Sequence, residues 1–385
     1  MQNIKAGIIG TGFIGPAHID ALRRLGFVEV AAVADISDEI AKKKAEQLEI
    51  PKYYGNYRDL LLDRDIKCVH VCTPNFTHFN ICKEALLANK HVICEKPLAI
   101  TVEQAGELIN LADEKKLVNA VHFNLRFYPL IHQAKAMVES GELGRIVAIN
   151  GSYQQDWLLF ETDYSWRLES SLSGESRAVA DIGSHWCDMI EFISSSRITQ
   201  VCSDLATFYP ARKKALKAVE TYSGRVFDEK DYEDISINTE DYASVLLRFE
   251  NGAHGSLTVN QMAAGRKNRL FFEVYGTRKS ISWDSERPNE MWIGKRDGNN
   301  ELLMKEPSLL NSCAREITGL PGGHNEGFYD TSKQMFKKVY SFIANDGSGR
   351  SQEPDFPTFK SGFRELLLCD RILESAKEQK WVNVQ

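Results

Sequence analysis

An apolar run over residues 4–9 ends in Gly10-Thr11-Gly12-Phe13-Ile14-Gly15, and a helical pattern carrying Leu22 and Leu25 follows Pro16. The spacing predicts strand, glycine turn, helix. A second strand over 28–34 closes at Asp35, and Ser37 to Leu48 reads as a capped amphipathic helix rich in Lys and Glu. The alternation continues through strand 68–72, helix 76–88, strand 91–94, helix 102–115 and strand 117–122. Strands interleaved with helices in this way predict a parallel, doubly wound sheet.

The rhythm changes after about residue 123. Long β-type segments occupy 145–157, 198–209, 241–249, 253–260, 269–275 and 279–283, with short turns at Glu250-Asn251-Gly252 and Gly276-Thr277. Tight turns between successive strands predict antiparallel pairing. Helices are expected near 127–139, 179–194, 326–344 and 358–377, so the second half reads as α+β. The stretches 211–238 and 285–325 are charged or rich in Gly, Pro and Asn, and read as excursions from the sheet. Two domains are expected, 1–123 and 124–385, and no internal repeat is visible.

Composition narrows the function. With 385 residues, 43% hydrophobic and 26% charged, the chain has the make-up of a folded multidomain protein. A net charge of −6 argues against bulk attraction to nucleic acid or anionic lipid. No apolar stretch approaches the ~18 residues that span a bilayer, and a strand pattern opens the chain without a leader, which points to the cytoplasm. The eight cysteines are dispersed without metal-ligand spacing, so buried free thiols and no bound metal are expected.

The chemistry-bearing residues fall at strand ends. Gly10, Gly12 and Gly15 lie between a strand and a helix in the first βαβ unit, where backbone N–H groups meet a pyrophosphate. Asp35, twenty residues after Gly15, is placed to accept both hydroxyls of an adenosine ribose and to repel a 2′-phosphate, so NAD is favoured over NADP. The run Thr73-Pro74-Asn75-Phe76-Thr77-His78 follows one strand and Glu95-Lys96-Pro97 the next, each at a carboxyl edge where such folds bind ligands. Pro97 is a candidate for a cis bond. In the second half, Asp181 and His185 stand four apart in Asp181-Ile182-Gly183-Ser184-His185-Trp186-Cys187-Asp188; on a helix they share a face, with an imidazole suited to take an alcohol proton. A locally capped helical histidine would look the same in isolation.

The glycine turn, Asp35, Glu95-Lys96-Pro97 and the DxGxHxxD run at 181–188, in this order and separation, resemble the Gfo/Idh/MocA family of NAD(P)-dependent oxidoreductases. The likeness extends to Asn124 and Arg126 and to Phe359, Gly362 and Ile372 near the end. It implies a Rossmann domain followed by an open, mostly antiparallel sheet that builds a dimer or tetramer, with Lys96, Asp181 and His185 lining the site. Cofactor contacts are expected from Gly10, Gly12, Phe13, Ile14, Gly15, Asp35, Thr73, Asn75, His78, Glu95, Lys96, Asn124, Trp166 and Arg167. Two departures stand out: Gly174-Glu175-Ser176-Arg177-Ala178-Val179 is less glycine-rich than the family's usual run, and Gly322-Gly323-His324-Asn325-Glu326-Gly327 is an addition. With Gln155-Asp156-Trp157 and Trp166-Arg167, these resemble the sugar- and inositol-oxidising subgroups, including a levoglucosan-dehydrogenase-like one.

The implied reaction moves a hydride between a secondary alcohol of a sugar, anhydrosugar or inositol and nicotinamide, with His185 taking the proton and Lys96 favouring the alkoxide. Asp181 would orient His185 or hold a neighbouring hydroxyl. Trp157 and Trp166 are candidates to stack on a sugar ring, with Arg126, Tyr153, Arg167 and His324 as polar contacts. Two other readings share these residues: a non-catalytic NAD- and sugar-binding sensor, and an enzyme using transient oxidation for elimination or glycoside cleavage.

Overall fold

Strands β1 (Ile4–Ile9), β2 (Val28–Ala34), β3 (Lys52–Tyr54), β4 (Ile66–Val71), β5 (His91–Cys94) and β6 (Asn119–Val121) form one fully parallel sheet in the order β3-β2-β1-β4-β5-β6. This computed structural model describes residues 3–216, 231–345 and 353–385. Helices α1 (Gly15–Arg23), α2 (Asp38–Gln47), α3 (Tyr57–Leu62), α4 (Asn75–Leu87) and α5 (Val102–Lys115) connect the strands. The short β3 and α3 escaped the sequence pattern, because a three-residue edge strand carries too few alternating positions to be seen. The strand order reverses between β1 and β4, which opens a crevice at their carboxyl ends, beside Gly10 and Thr73.

Beyond residue 124 come α6 (Pro129–Glu139), β7 (Ile146–Gln154), α7 (Ser170–Ser173), a π-helical turn (Val179–Gly183) and α8 (Ser184–Ser194). The strands β8 (Ile198–Ala206), β9 (Ala211–Ala215), β10 (Tyr232–Ser236), β11 (Tyr242–Phe249), β12 (His254–Asn260), β13 (Arg269–Gly276), β14 (Lys279–Asp284), β15 (Glu290–Lys295) and β16 (Glu301–Met304) follow. Helices α9 (Ser312–Glu316), α10 (Phe328–Ala344) and α11 (Phe359–Glu378) and strand β17 (Val382–Asn383) close the chain. Nine strands pair in the order β16-β15-β14-β13-β7-β12-β11-β8-β17, antiparallel except for β7 against β12.

Register explains the two faces of this sheet. Val245, Leu257, Gly151, Phe272, Trp283 and Met291 are successive cross-strand partners, and the five of them with side chains are all buried. One position along, Leu246, Ser256, Asn150, Glu273, Ser282, Trp292 and Leu302 form the neighbouring row on the opposite face, where Leu246, Trp292 and Leu302 are exposed. The stretch 285–325, expected to leave the sheet, supplies its last two strands on one side, β15 and β16; the few inward positions there, such as Met291 and Ile293, lie among polar residues that masked the alternation. In 211–238, β9 and β10 make a separate two-stranded ribbon, while 217–230 lie outside the described residues.

The described residues group into two compact units, one within 1–124 and 328–366 and the other within 125–327 and 367–385. A contiguous division after residue 123 would assign α10 to the second unit; here α10 packs with the first. Helix α1 meets it there, and Arg24 donates to Asp330. None of the eight cysteines forms a disulfide among the described residues; Cys313 is exposed and Cys202 half-buried, while the other six are buried.

Candidate active-site residues in each unit

In the first unit the glycine turn is built to let a ligand close to the backbone. Gly10 has φ +91°, and a Cβ there would meet Cys72 O at 2.8 Å, so only glycine fits. A side chain at Gly15 would run into Gly10 O, which keeps α1 tight against the strand. At Gly12 a Cβ would find nothing within 4 Å, leaving open space before the first N–H groups of α1. Phe13 is exposed and Ile14 half-buried beside that space. This cradle fits a dinucleotide pyrophosphate.

Asp35 is held in place by its surroundings. Its Oδ2 accepts from Thr11 N at 3.0 Å and from the Thr11 hydroxyl, and its Oδ1 accepts from Ile36 N at 2.8 Å. The carboxylate is thereby fixed while remaining half-buried at the crevice edge. Thr11 was not singled out from sequence, since a threonine inside a glycine turn carries no signal of its own.

At the next two strand ends, Thr73 and Asn75 are half-buried, and Thr73 Oγ1 accepts from Thr77 Oγ1 at 2.6 Å. His78, expected to contact the cofactor, has no exposed surface. Its ring nitrogens lie 2.7 Å from Pro97 O and 2.8 Å from Thr73 O, so it braces two neighbouring loops. Lys96-Pro97 is cis, as the sequence suggested, and Lys96 is half-buried. Asn124 likewise turns inward, donating to Thr331 Oγ1 at 2.7 Å.

The structure also gathers His18, Glu95 and His122, whose candidate ligand atoms all lie within 4.8 Å of one another. Sequence spacing could not reveal this cluster, because its members come from α1, the end of β5 and the end of β6.

In the second unit, Asp181 lies in the π-helical turn and His185 in the first turn of α8, so the simple four-residue helical spacing is stretched by a wider turn. Glu240 anchors the start of this segment: its carboxylate accepts from Arg177 N and Val179 N, each at 2.9 Å, and from Ser176 Oγ at 2.8 Å. A carboxylate on the unpaired N–H groups of a helical start is favourable. Asp181 accepts from Gln261 Nε2 at 3.1 Å and pairs with Arg167 Nε at 3.3 Å. His185 is 8% exposed, with the Tyr153 ring 6.3 Å from its own.

The remaining expected substrate contacts divide. Arg167 lies over the Trp166 ring at 4.6 Å. Tyr153 is buried and donates its hydroxyl to Asn268 Oδ1 at 2.9 Å, and Trp157 is half-buried. Arg126 makes a two-pronged pair with buried Asp188, with Nε 2.6 Å from Oδ2, and lies 5.1 Å over the Phe192 ring. Burial pushes the Asp188 carboxyl up against the pull of that guanidinium. His324 is exposed on a loop pinned from beneath by Lys305, which donates to His324 O at 2.8 Å and to Glu326 at 2.6 Å.

Comparison with known proteins places both units in one family. Residues 4–123 match the family description "Oxidoreductase family, NAD-binding Rossmann fold", and residues 131–282 match "GFO/IDH/MocA C-terminal domain". The chain is 31% identical over 401 positions to levoglucosan dehydrogenase of Pseudarthrobacter phenanthrenivorans, spanning 100% of this chain and 99% of that protein. Among solved structures, levoglucosan dehydrogenase in complex with NADH and L-sorbose superposes with a TM-score of 0.88 at 29% identity over 100% of both chains. An inositol dehydrogenase homolog complexed with NAD+ from Azotobacter vinelandii gives 0.86 at 26% identity, covering 99% of this chain and 97% of that one.

Proposed function

Because the chain belongs to the Gfo/Idh/MocA family of NAD-binding oxidoreductases, with sugar and inositol dehydrogenases among its relatives, we propose that it oxidises a secondary alcohol of a cyclic sugar, anhydrosugar or inositol through Lys96, Asp181 and His185. It is an NAD-dependent enzyme of the sugar and polyol class. Bound NAD would supply the hydride acceptor for the carbinol hydrogen. The chain's own residues do the rest. Backbone N–H groups at Gly12, Phe13 and Ile14 hold the phosphates, Asp35 takes the adenosine ribose hydroxyls, and Thr73, Asn75 and the Glu95 backbone line the path towards Lys96.

His185 accepts the hydroxyl proton as the carbonyl forms, and Lys96 hydrogen-bonds the same oxygen so that its ammonium stabilises developing negative charge. Asp181, steadied by Gln261 and Arg167, orients the imidazole or a neighbouring hydroxyl. Trp157 offers a ring face to the sugar's C–H groups, with His324 and the Trp166–Arg167 pair at its margin. Arg126 we assign to holding α8 through Asp188. The open row of the nine-stranded sheet, with Leu246, Trp292 and Leu302 exposed, is our candidate for a homo-oligomeric face, and the cytoplasm our candidate location. Among the described residues no helix is long and apolar enough to cross a membrane.

The observation that carries this reading is the buried imidazole of His185 at the head of α8, one turn from the fastened carboxylate of Asp181. His185→Ala is expected to lower turnover of levoglucosan or myo-inositol by roughly 10²–10⁴ while NADH binding is retained. Unchanged turnover would remove His185 from its role.

A further inference from the structure

Glu95 follows β5, one residue before Lys96, and its carboxylate sits at the centre of a hydrogen-bonded chain inside the first unit. Oε1 lies 2.8 Å from His18 Nε2 and 2.6 Å from His122 Nδ1, and Oε2 accepts from Lys96 N at 3.3 Å. From His18 the chain runs through Nδ1 to His70 Nδ1 at 2.9 Å, and from His70 Nε2 to the Tyr340 hydroxyl at 2.9 Å. From His122 it runs through Nε2 to Ser332 Oγ at 3.0 Å. The three imidazoles pack around the Phe336 ring with centroids 4.8, 4.8 and 5.2 Å away. His18 and His70 have no exposed surface.

Donor and acceptor counting fixes the direction of these bonds. An ionised carboxylate only accepts, so the ring nitrogens facing Glu95 carry protons. With Nε2 protonated, a neutral His18 has an accepting Nδ1, which takes the Nδ1–H of His70, and His70 Nε2 in turn takes the Tyr340 proton. Burial, helped by the charge of His122, holds His18 down at about 4, and burial holds His70 well below its usual range, in keeping with neutral rings. Burial would push Glu95 up, yet its histidine partners outweigh that and keep it below the usual carboxylate range.

A divalent cation is the competing occupant of this cluster. Ligands at ~2.0–2.1 Å around a tetrahedral ion stand about 3.3 Å apart. The 2.8 and 2.6 Å separations here are those of charge-assisted hydrogen bonds, and each imidazole nitrogen described above already has a partner.

We propose that Glu95 is the positioning residue for Lys96: locked by His18 and His122, it holds the Lys96 backbone through Oε2 and sets a fixed negative charge one residue from the reacting ammonium. His78 grips the far side of the same turn at Pro97 O. His18 ties the same carboxylate to α1. This inference rests on the reading that Lys96 contacts the reacting oxygen.

The test uses the full chain, with turnover of levoglucosan or myo-inositol, NADH binding by fluorescence and melting temperature measured on each variant. Glu95→Gln keeps the shape and removes the charge; it is expected to lower kcat roughly 10–10²-fold, the scale of a small misplacement, with KM and NADH affinity retained. His18→Leu is expected to fall similarly. His18→Gln, whose amide nitrogen replaces the ring Nε2–H, and His122→Asn, whose amide replaces Nδ1–H, are expected to keep most of the turnover, which carries the test if Glu95→Gln folds poorly. In a Lys96→Ala background Glu95→Gln should add no further loss. Equal damage from His18→Gln and His18→Leu, a fully additive loss in the Lys96→Ala background, or one equivalent of divalent metal retained by the purified protein would each overturn the proposal. Full turnover by Lys96→Ala alone would instead overturn the catalytic reading beneath it.

Discussion

Each unit places a candidate reacting group beside a buried carboxylate knot, and the knots differ in their partners. In the second unit, Asp241 is fully buried, with Oδ1 accepting from Arg177 at 2.6 Å and Arg212 at 2.8 Å and Oδ2 accepting from Phe208 N at 2.7 Å. Next to it, Glu240 fastens the segment that leads to Asp181 and His185. In the first unit Glu95 is tied by imidazoles. Guanidinium is charged at any accessible pH, so the arginine knot is indifferent to mild acid, and Arg177 and Arg212 hold Asp241 below its usual range although burial pushes it up. Imidazole can be neutral, so the histidine knot can sit in an apolar core without a second full charge on every ring. A permanent fastener suits a fold element; a titratable one makes its hold conditional on pH.

That contrast can be broken in three places. The largest effect is expected from Asp241→Ala, which leaves two guanidinium groups buried without their carboxylate and should cost about 3–5 kcal/mol in denaturant unfolding of the second unit, with little change between pH 6 and pH 8. A smaller loss would mean that water reaches the arginines.

Acid should act on the other knot. His18 titrates at about 4 in the fold against an ordinary 6.5, so the native state favours its neutral form. The corresponding stabilisation is complete above the ordinary value and is lost as pH falls towards 4. The depressed carboxyl of Glu95 works in the same direction at lower pH, its contribution present above the ordinary carboxylate value and lost as pH falls through its folded one. Wild-type protein should therefore lose roughly 3 kcal/mol from His18 between pH 7.5 and pH 4, and His18→Gln should show a correspondingly shallower decline. Parallel curves would show that His18 is not neutral in the core.

The smallest effect concerns a carboxylate at the surface, where hydrogen bonds are worth less. Thr11→Val removes the hydroxyl bond to Asp35 but leaves the backbone donors Thr11 N and Ile36 N. About 1 kcal/mol, or roughly fivefold in NADH affinity by titration, is expected. No change would mean that the backbone donors alone hold Asp35.

The first unit was the more legible in sequence, because unbroken apolar runs alternating with amphipathic helices leave few arrangements, and because Gly10, Asp35 and Lys96 fall at strand ends that a short motif already marks. What escaped is non-local. His18, His70 and His122 each look like an isolated core histidine, and only the stacking of α1, β4 and β6 brings them to Glu95. Thr11, Glu240 and Gln261 escaped for the same reason, since their partners lie far off in the chain. In the second unit the central strands showed through their alternation, whereas β15 and β16 have too few inward positions among Gly, Asn and charge. The π-helical turn under Asp181 left no compositional trace.

The order of synthesis adds a constraint of its own. The first unit is made of 1–124 and 328–366, so Ser332 and Tyr340 leave the ribosome only after residues 125–327 of the other unit have been made. At ~5–20 residues per second, the 203 residues of 125–327 impose a delay of about 10–40 s during which the nascent first unit lacks its Tyr340 and Ser332 hydroxyls and the Phe336 ring. The emerging polypeptide must wait for its own tail before the lysine turn can settle.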